Sequence, residues 1–560
     1  MNQRSQRLLI IFSFLLISGS PIISLAQWDE NLSFRVDSLL NRFDSKKPGG
    51  ALGIYQGGAV LYERYFGLET LSSKKPVTAT TRYNIASMAK QFTALGIAQL
   101  EDAGRINRED QIRTYLPELS HFEQVKVKHL LHHTSGLREA TEIALLSGKV
   151  SLSGELPLSF INEENLIRIL GKERDLNFPP GTEHSYTNTN YILLAQIIER
   201  ISGQSFGVFL DSAIFKPLGM DNSYIQPSAS ESVIDGYRNK GKRFKKTKGS
   251  GGLPGEDNLI TTLDDLRAWY GNYFSNTLNL SASNHQKLIE PEMLENGKSS
   301  EYGYGLSIED HNGMMLAWHD GENNLHTSAA LFIPEKELVI ICLANATDYV
   351  DPTRRVFNVL NMIYPRGKPS LEPVELVEVS TASNGEKEGL YYRISPTNKG
   401  SIRKVYMAEG EVYVTGNLEH RGLRFGNIAQ DHLYATNTNG NPINLYFENK
   451  DSGLILRENY IDHENDWVFT KYDPVKFDPA DYKGTYKDPY HGAFFKIKEK
   501  KGKLVAKKGL LKVKMMQLKS DTFLGDYDVL FLFERSAANK VSGLLLNIDN
   551  LRNFQLEKVR

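Results

Sequence analysis

Near Pro365 the periodicity of this 560-residue chain changes, so two kinds of architecture must share it. From about residue 34 to 364, helical and strand patterns mix. Residues 50–55 and 59–65 flank Gln56-Gly57-Gly58 and predict a β-hairpin with a glycine turn. An apolar helix is expected over residues 88–101, with Ala103-Gly104 as its stop signal, and another over 191–201, closed by Ser202-Gly203. Residues 329–333 and 338–343, split by Pro334-Glu335-Lys336-Glu337, read as paired strands. Strands at both ends with helices between predict one α+β sheet domain over residues 27–364. A proline-containing linker is expected at 365–375. Beyond it, short alternating runs with Asn, Gly and Asp turns predict an all-β half, with one unit at 376–473 and a second at 474–560. Glu388-Gly389-Leu390-Tyr391-Tyr392 resembles Lys483-Gly484-Thr485-Tyr486, and Trp467-Val468-Phe469-Thr470-Lys471 resembles Phe554-Gln555-Leu556-Glu557-Lys558. Two small antiparallel barrels, or one barrel of two halves, would explain this repetition.

The first residues bear on compartment. Arg4 and Arg7 precede an apolar stretch at 8–17, and Ser24-Leu25-Ala26 follows, which predicts a secretory signal over residues 1–26 and a periplasmic or secreted mature protein. An uncleaved anchor is the competing reading, but the apolar stretch falls short of the roughly 20 residues a bilayer span needs. No stable membrane anchor is therefore expected. Lys plus Arg number 66 against 67 Asp plus Glu, a net charge of -1, so no global positive field exists to gather nucleic acid. The single Cys342 cannot form an internal disulfide or a thiolate metal site. The chemistry falls to oxygen and nitrogen groups.

A serine three residues before a lysine sets both side chains on one face of a helical turn, where the amine can take the hydroxyl proton. Three copies occur: Ser72 with Lys75, Ser87 with Lys90, and Ser401 with Lys404. The first ends against Pro76 in a polar stretch and the third lies in the β half, so neither offers that geometry. Ser87 opens the apolar helix expected over 88–101, whose free N–H groups and positive dipole end would favour a developing oxyanion. The plainer alternative makes Ser87 a helix N-cap and Lys90 a surface lysine.

Two further segments bear on that choice. Residues 179–188 form a loop into the 191–201 helix, with Tyr186 and Asn188 at its exit; a phenol can shuttle a proton and an amide can hold a substrate carbonyl. Trp318-His319-Asp320-Gly321 directly precedes the paired strands, so its backbone could line a cleft edge, where His319 can hydrogen-bond a phenol or an anionic group. Taken singly, a packed tyrosine and a satisfied histidine account for these residues as well. His129, His132 and His133 have no acidic partner at ligand spacing, and packing is their expected role; zinc is not. The basic run from Lys240 to Lys248 is expected to be a solvated loop.

The order Ser-x-x-Lys, Tyr-x-Asn, His-x-Gly resembles the serine β-lactamase and penicillin-binding-protein superfamily, in its class C-related branch. Residues 83–94 look like that family's nucleophile segment and 129–137 like its next landmark; 178–199 and 261–266 extend the match over about residues 34 to 364. The resemblance implies an antiparallel sheet flanked by helices, no metal or other cofactor, and a small peptide, ester or β-lactam as partner. It implies Ser87 as nucleophile, Lys90 as its base, Tyr186 as proton relay and Asn188 as a substrate-amide anchor. His319 would support Tyr186 or the substrate, Gly321 would border the substrate, and the backbone N–H groups of Ser87 and Glu322 would form the oxyanion hole. The third triplet is often Lys-Thr-Gly; His319-Asp320-Gly321 looks instead like esterases and D-aminopeptidases, and the latter carry C-terminal, lipocalin-like barrels, one of which reaches toward the active site. Asn324-Leu325 stands where Gly-Phe is common, and because Asn tolerates a left-handed backbone the turn is expected to persist. The resulting expectation is an exported serine hydrolase acting through a Ser87 acyl-enzyme on an amide or ester, with D-amino-acid or cell-wall peptides as substrates. The alternative is a catalytically inactive protein that binds cell-wall peptides or β-lactams.

Overall fold

The computed structural model describes residues 28–147, 162–226, 234–247 apart from 242, 252–365, and 387–559 apart from 395–399, 409–410, 416–422, 430, 437–441, 451–452, 461–466, 474–476, 509–510, 527–528 and 549–550. The expected signal over 1–26 and most of the expected linker lie outside these residues. Among the described residues no helix is long and apolar enough to cross a membrane.

Six strands make the sheet of the first domain: β1 (Gly50–Gln56), β2 (Ala59–Phe66), β3 (Ser307–His311), β4 (Met314–Glu322), β5 (Thr327–Ile333) and β6 (Leu338–Ala344). Their order is β3-β4-β5-β6-β1-β2, and every pairing is antiparallel. The glycine turn closes the first hairpin as expected: Gly57 and Gly58 have φ of 56° and 77°, the left-handed pair that a two-residue hairpin loop demands. β5 and β6 are buried throughout because helices cover both faces of the sheet, which is why they read as continuous apolar runs. Leu52, Leu331 and Ile340 meet Val36 and Leu40 of α1 (Glu30–Leu40) on one face. Phe332, Ile341 and Leu343 join the larger core on the other, with α2 (Lys90–Asp102) and α3 (Asn188–Ser202) in the helical layer. Phe92 of α2 stacks on Trp269 with ring centroids 3.7 Å apart.

Two local expectations are corrected and one is refined. Ser87 does not open the α-helix; it sits in a 3-10 turn, Ala86–Ala89, and α2 begins at Lys90. The side chain of Ser87 caps nothing there, which removes the plain N-cap reading. His319-Asp320-Gly321 precedes the paired strands as expected but is itself strand, the end of β4, hydrogen-bonded against β5 through His319↔Ala330, Asp320↔Ala329 and Gly321↔Ser328. Its mixed composition hides a strand whose partner supplies most of the apolar surface. Asn324 is not left-handed; the turn is instead made by Asn323, whose Oδ1 accepts from the backbone of Leu325 (2.9 Å) and His326 (3.0 Å).

The second half forms two closed eight-stranded barrels, from Gly389–Ile394 to Trp467–Lys471 and from Gly484–Lys487 to Leu551–Lys558. The repeated Gly-x-Tyr opens both. Tyr391 Oη donates to the Lys387 carbonyl and Tyr486 Oη to the Tyr482 carbonyl, each at 2.8 Å, and each first strand pairs with the last of its own barrel. Closure leaves no unpaired strand edge for aggregation.

The second barrel docks on the first domain. Arg552 Nη1 meets Glu183 at 2.9 Å, Arg552 N donates to Asn177 Oδ1 at 2.9 Å, and Arg138 Nη2 donates to the Asn553 carbonyl at 3.3 Å. The apolar core runs on without a break from helix residues such as Leu166 and Leu170 to Phe495, Leu544 and Phe554. A chain ending at residue 473 should therefore expose apolar surface, unfold at a lower temperature than the full chain and bind a hydrophobic dye. An unchanged melting midpoint for the first domain would show that the barrel gives it no support.

Candidate active site

Ser87 is placed by backbone rather than by its own contacts. Ala86 has φ of 48°, a left-handed setting that costs a residue with a Cβ on the order of 1–2 kcal/mol, and it turns the chain so that Ser87 leads into α2. The turn is fixed by Asn84 Oδ1, which accepts from Ala86 N at 2.8 Å, and by Ser328 Oγ, which donates to the Ile85 carbonyl at 2.7 Å. β3 begins only at Ser307, opposite Trp318, so from His319 onward one edge of β4 has no strand beside it. The 3-10 turn packs there, against β4.

Lys90 is 0% exposed, an expensive position for a charge unless its hydrogens are matched. Its Nζ lies 3.0 Å from Ser87 Oγ, 2.9 Å from Asn188 Oδ1 and 3.1 Å from the Glu256 carbonyl oxygen. Burial holds its amine below the ordinary lysine range. The Tyr186 ring centre is 4.9 Å from that amine, and burial pushes its phenol well above the usual range, so Tyr186 keeps its proton. Asn188 is the first residue of α3, and its N–H donates to Glu139 Oε2 at 2.7 Å; the same carboxylate accepts from Thr187 Oγ1 at 2.9 Å.

His319 is 5% exposed and its imidazole is held below the usual histidine range, first by burial and then by Lys90. Its Nδ1 faces the Asp320 carbonyl, which can only accept, so Nδ1 carries the hydrogen and Nε2 is left to accept from Tyr302 Oη at 3.0 Å. His319 is thus bonded to Tyr302 rather than to Tyr186, whose ring centre is 6.0 Å away. Ser87, Tyr186, His319, Gly321 and Glu322 line one cleft of about 330 Å³, together with His184, Tyr302, Ser307 and Asp320; Lys90 and Asn188 stand behind Ser87. His129, His132 and His133 are dispersed among different partners: His132 Nδ1 donates to the Tyr302 carbonyl (2.7 Å), His129 Nδ1 accepts from Lys126 N (3.1 Å), and His133 Nδ1 accepts from Thr187 N (3.3 Å). Among the described residues no cluster could hold a metal ion.

Five contributors are not singled out by the sequence: Tyr302, His184, Ser307, Asp320 and Glu256. The alternation Tyr302-Gly303-Tyr304-Gly305 was the available signal for the first, since Gly305 at φ 76° passes so close to α2 that a Cβ would lie 2.6 Å from Gln91 N.

The β-lactamase family model matches residues 36–360, more than half of the chain. The chain belongs to the β-lactamase family. It is 27% identical to a D-aminopeptidase of Gluconobacter oxydans over 67% of this chain and 70% of that protein. It is 26% identical to a penicillin-binding protein of Bacillus subtilis over 51% of this chain and 65% of that one. Among solved structures, an octameric penicillin-binding protein homologue from Pyrococcus abyssi matches with TM-score 0.53 and 25% identity, covering 79% of this chain and 99% of that one. A serine hydrolase of the β-lactamase fold is the class these relatives support, and the barrels add to that fold the all-β half described above.

Proposed function

We propose that this β-lactamase-family chain is an exported amidohydrolase or esterase that forms an acyl-enzyme on Ser87, with short D-amino-acid or cell-wall peptides as its substrates. The observation that carries the reading is the 3.0 Å approach of the buried Lys90 amine to Ser87 Oγ at the floor of a cleft that Tyr186 also lines. A neutral amine has two N–H bonds and one lone pair. Directed at Asn188 Oδ1 and the Glu256 carbonyl, the two N–H bonds leave the lone pair facing the Ser87 hydroxyl.

Ser87 Oγ then bonds the substrate carbonyl carbon while its proton passes to Lys90 Nζ. Negative charge on the carbonyl oxygen falls between the N–H groups of Ser87 and Glu322. Tyr186, still protonated, gives its proton to the leaving nitrogen or oxygen and recovers one from Lys90 as the bond to carbon breaks. Water repeats the sequence in reverse and frees Ser87.

Charge in the cleft supports the choice of substrate. Its lining carries two carboxylates, Asp320 and Glu322, while His184 is held near 4 by burial and His319 is likewise neutral at pH 7. Burial and the neighbouring Asp348 and Asp320 carboxylates raise Glu322, a sign that negative charge is crowded there. An anionic β-lactam or a C-terminal carboxylate meets repulsion in such a cleft; an amide or ester beside a free amino group does not. The D-aminopeptidase relatives point the same way.

Intact-mass measurement and peptide mapping after exposure to a fluorophosphonate should place one adduct on Ser87. In turnover assays, D-amino-acid amides and small neutral esters should be consumed faster than benzylpenicillin. Labelling elsewhere, or no adduct in folded protein, overturns the enzyme reading; faster turnover of penicillin overturns the substrate assignment. N-terminal sequencing of exported protein, expected to begin at Gln27, tests the export.

A further inference from the structure

Glu256 is a buried carboxylate with no part in the steps above. The segment around it is built to hold its side chain: a Cβ on Gly252 would lie 1.7 Å from Glu256 Oε1, so only glycine leaves room there. Gly255, at φ 95°, passes the Tyr191 carbonyl of α3 where a Cβ would come within 2.3 Å. Leu253 N–H donates to Oε1 at 2.9 Å, and Oε2 is turned toward Lys90 Nζ at 3.7 Å. The two groups share a compartment nearly closed to solvent, with Glu256 8% exposed.

Other charged or titratable groups face this compartment from every side, and each is otherwise engaged. Asp257 accepts from Gly252 N at 2.9 Å and from Asn323 Nδ2 at 3.1 Å. Glu139 is taken up by Asn188 N and Thr187 Oγ1. His133 and His319 are held neutral by burial, and the phenols of Tyr186 and Tyr191 keep their protons for the same reason. Glu256 is the carboxylate whose free oxygen points at the amine.

We propose that Glu256 is a positioning residue for Lys90, the neighbouring charge that sets how readily the amine gives up its proton and so the pH at which Ser87 can be acylated. This rests on the reading of Lys90 as the base. The sign follows from two opposed effects. Burial lowers the pKa of Lys90, and the Glu256 carboxylate raises it; burial in turn raises Glu256. Removing the carboxylate leaves burial less opposed, so the amine becomes neutral at lower pH. An opposite charge at this range moves its partner by about 1–3 pH units.

The test is the pH dependence of kcat/KM for p-nitrophenyl acetate in the full chain, which reports groups of the free enzyme. Glu256→Gln keeps an oxygen for Leu253 N–H, and its acid limb should move down by about 1–3 pH units. Glu256→Asp, which draws the charge back by one methylene, should move the limb less and in the same direction; it also serves if the glutamine variant does not fold. A merely structural role would lower the rate at every pH and leave the limb in place. If the limb stays put or moves up in a folded variant, the inference fails while the base reading stands. If Lys90→Met still acylates at the wild-type rate, the base reading itself fails and takes the inference with it.

Discussion

A Lys90→Met variant should acylate Ser87 more slowly than wild type by on the order of 10²- to 10⁴-fold, the usual range for loss of a positioned general base. Methionine matches the length of the lysine stem and fills the buried space under Tyr186 and Tyr191, so the loss is confined to the amine. Three partners are then stranded: Ser87 Oγ, Asn188 Oδ1 and the Glu256 carbonyl. Breaking a buried charge pair by removing one member can cost about 3–5 kcal/mol when the other must stay charged. Here burial already raises Glu256, which can take up a proton and escape most of that penalty, so the variant is expected to fold. Stopped-flow labelling with a fluorophosphonate, read beside thermal unfolding, separates the two effects. Labelling within a few-fold of wild type, in protein of any stability, would mean that another group takes the Ser87 proton.

The parts of this arrangement that could be read from sequence are those carried by local spacing. Ser87 and Lys90 stand one turn apart, and the Gly57-Gly58 turn and the Gly-x-Tyr that opens each barrel depend on the backbone within a few residues. The groups that escaped notice are brought in by tertiary contact. Glu256 reaches Lys90 across 166 positions in sequence, and Tyr302 reaches His319 because β3 begins only at Ser307 and leaves one edge of β4 open. His319, expected to support Tyr186 or a substrate, bonds Tyr302 instead of Tyr186, a partner that spacing alone could not supply. The strand character of His319-Asp320-Gly321 was hidden for a related reason: the residues it pairs with, Ser328 to Ala330, belong to another strand. The barrels were legible as alternation and turns, but closure depends on which strand pairs with which.

Gly321→Ala should be the most damaging single-methyl change in the cleft. A Cβ at this position would lie 2.2 Å from the Ile85 carbonyl oxygen, 2.7 Å from Ser328 Oγ and 3.0 Å from Ser87 N. Little can yield. β4 is held on its far side by pairing of Gly321 with Ser328, and the Ile85 carbonyl is pinned by the Ser328 hydroxyl at 2.7 Å. Ala86 already occupies a strained left-handed backbone, so the 3-10 turn has no relaxed position into which to retreat. The added methyl must therefore part the turn from β4, and with it Ser87 N from Glu322 N, the two donors proposed for the oxyanion. Loss of one such donor typically costs about 10²- to 10³-fold in rate, and overpacking adds about 1–3 kcal/mol of destabilisation. Two controls isolate the cause. Gly313→Ala, at the turn between β3 and β4, meets no atom within 4 Å and is strained only by its φ of 78°, so it should cost stability and little rate. Adding Ser328→Ala to Gly321→Ala removes one of the three clashes and leaves the backbone collision with Ile85, so it should not restore turnover. Recovery in that double variant would place the damage in a side-chain clash and leave the spacing between the turn and β4 without a part in catalysis.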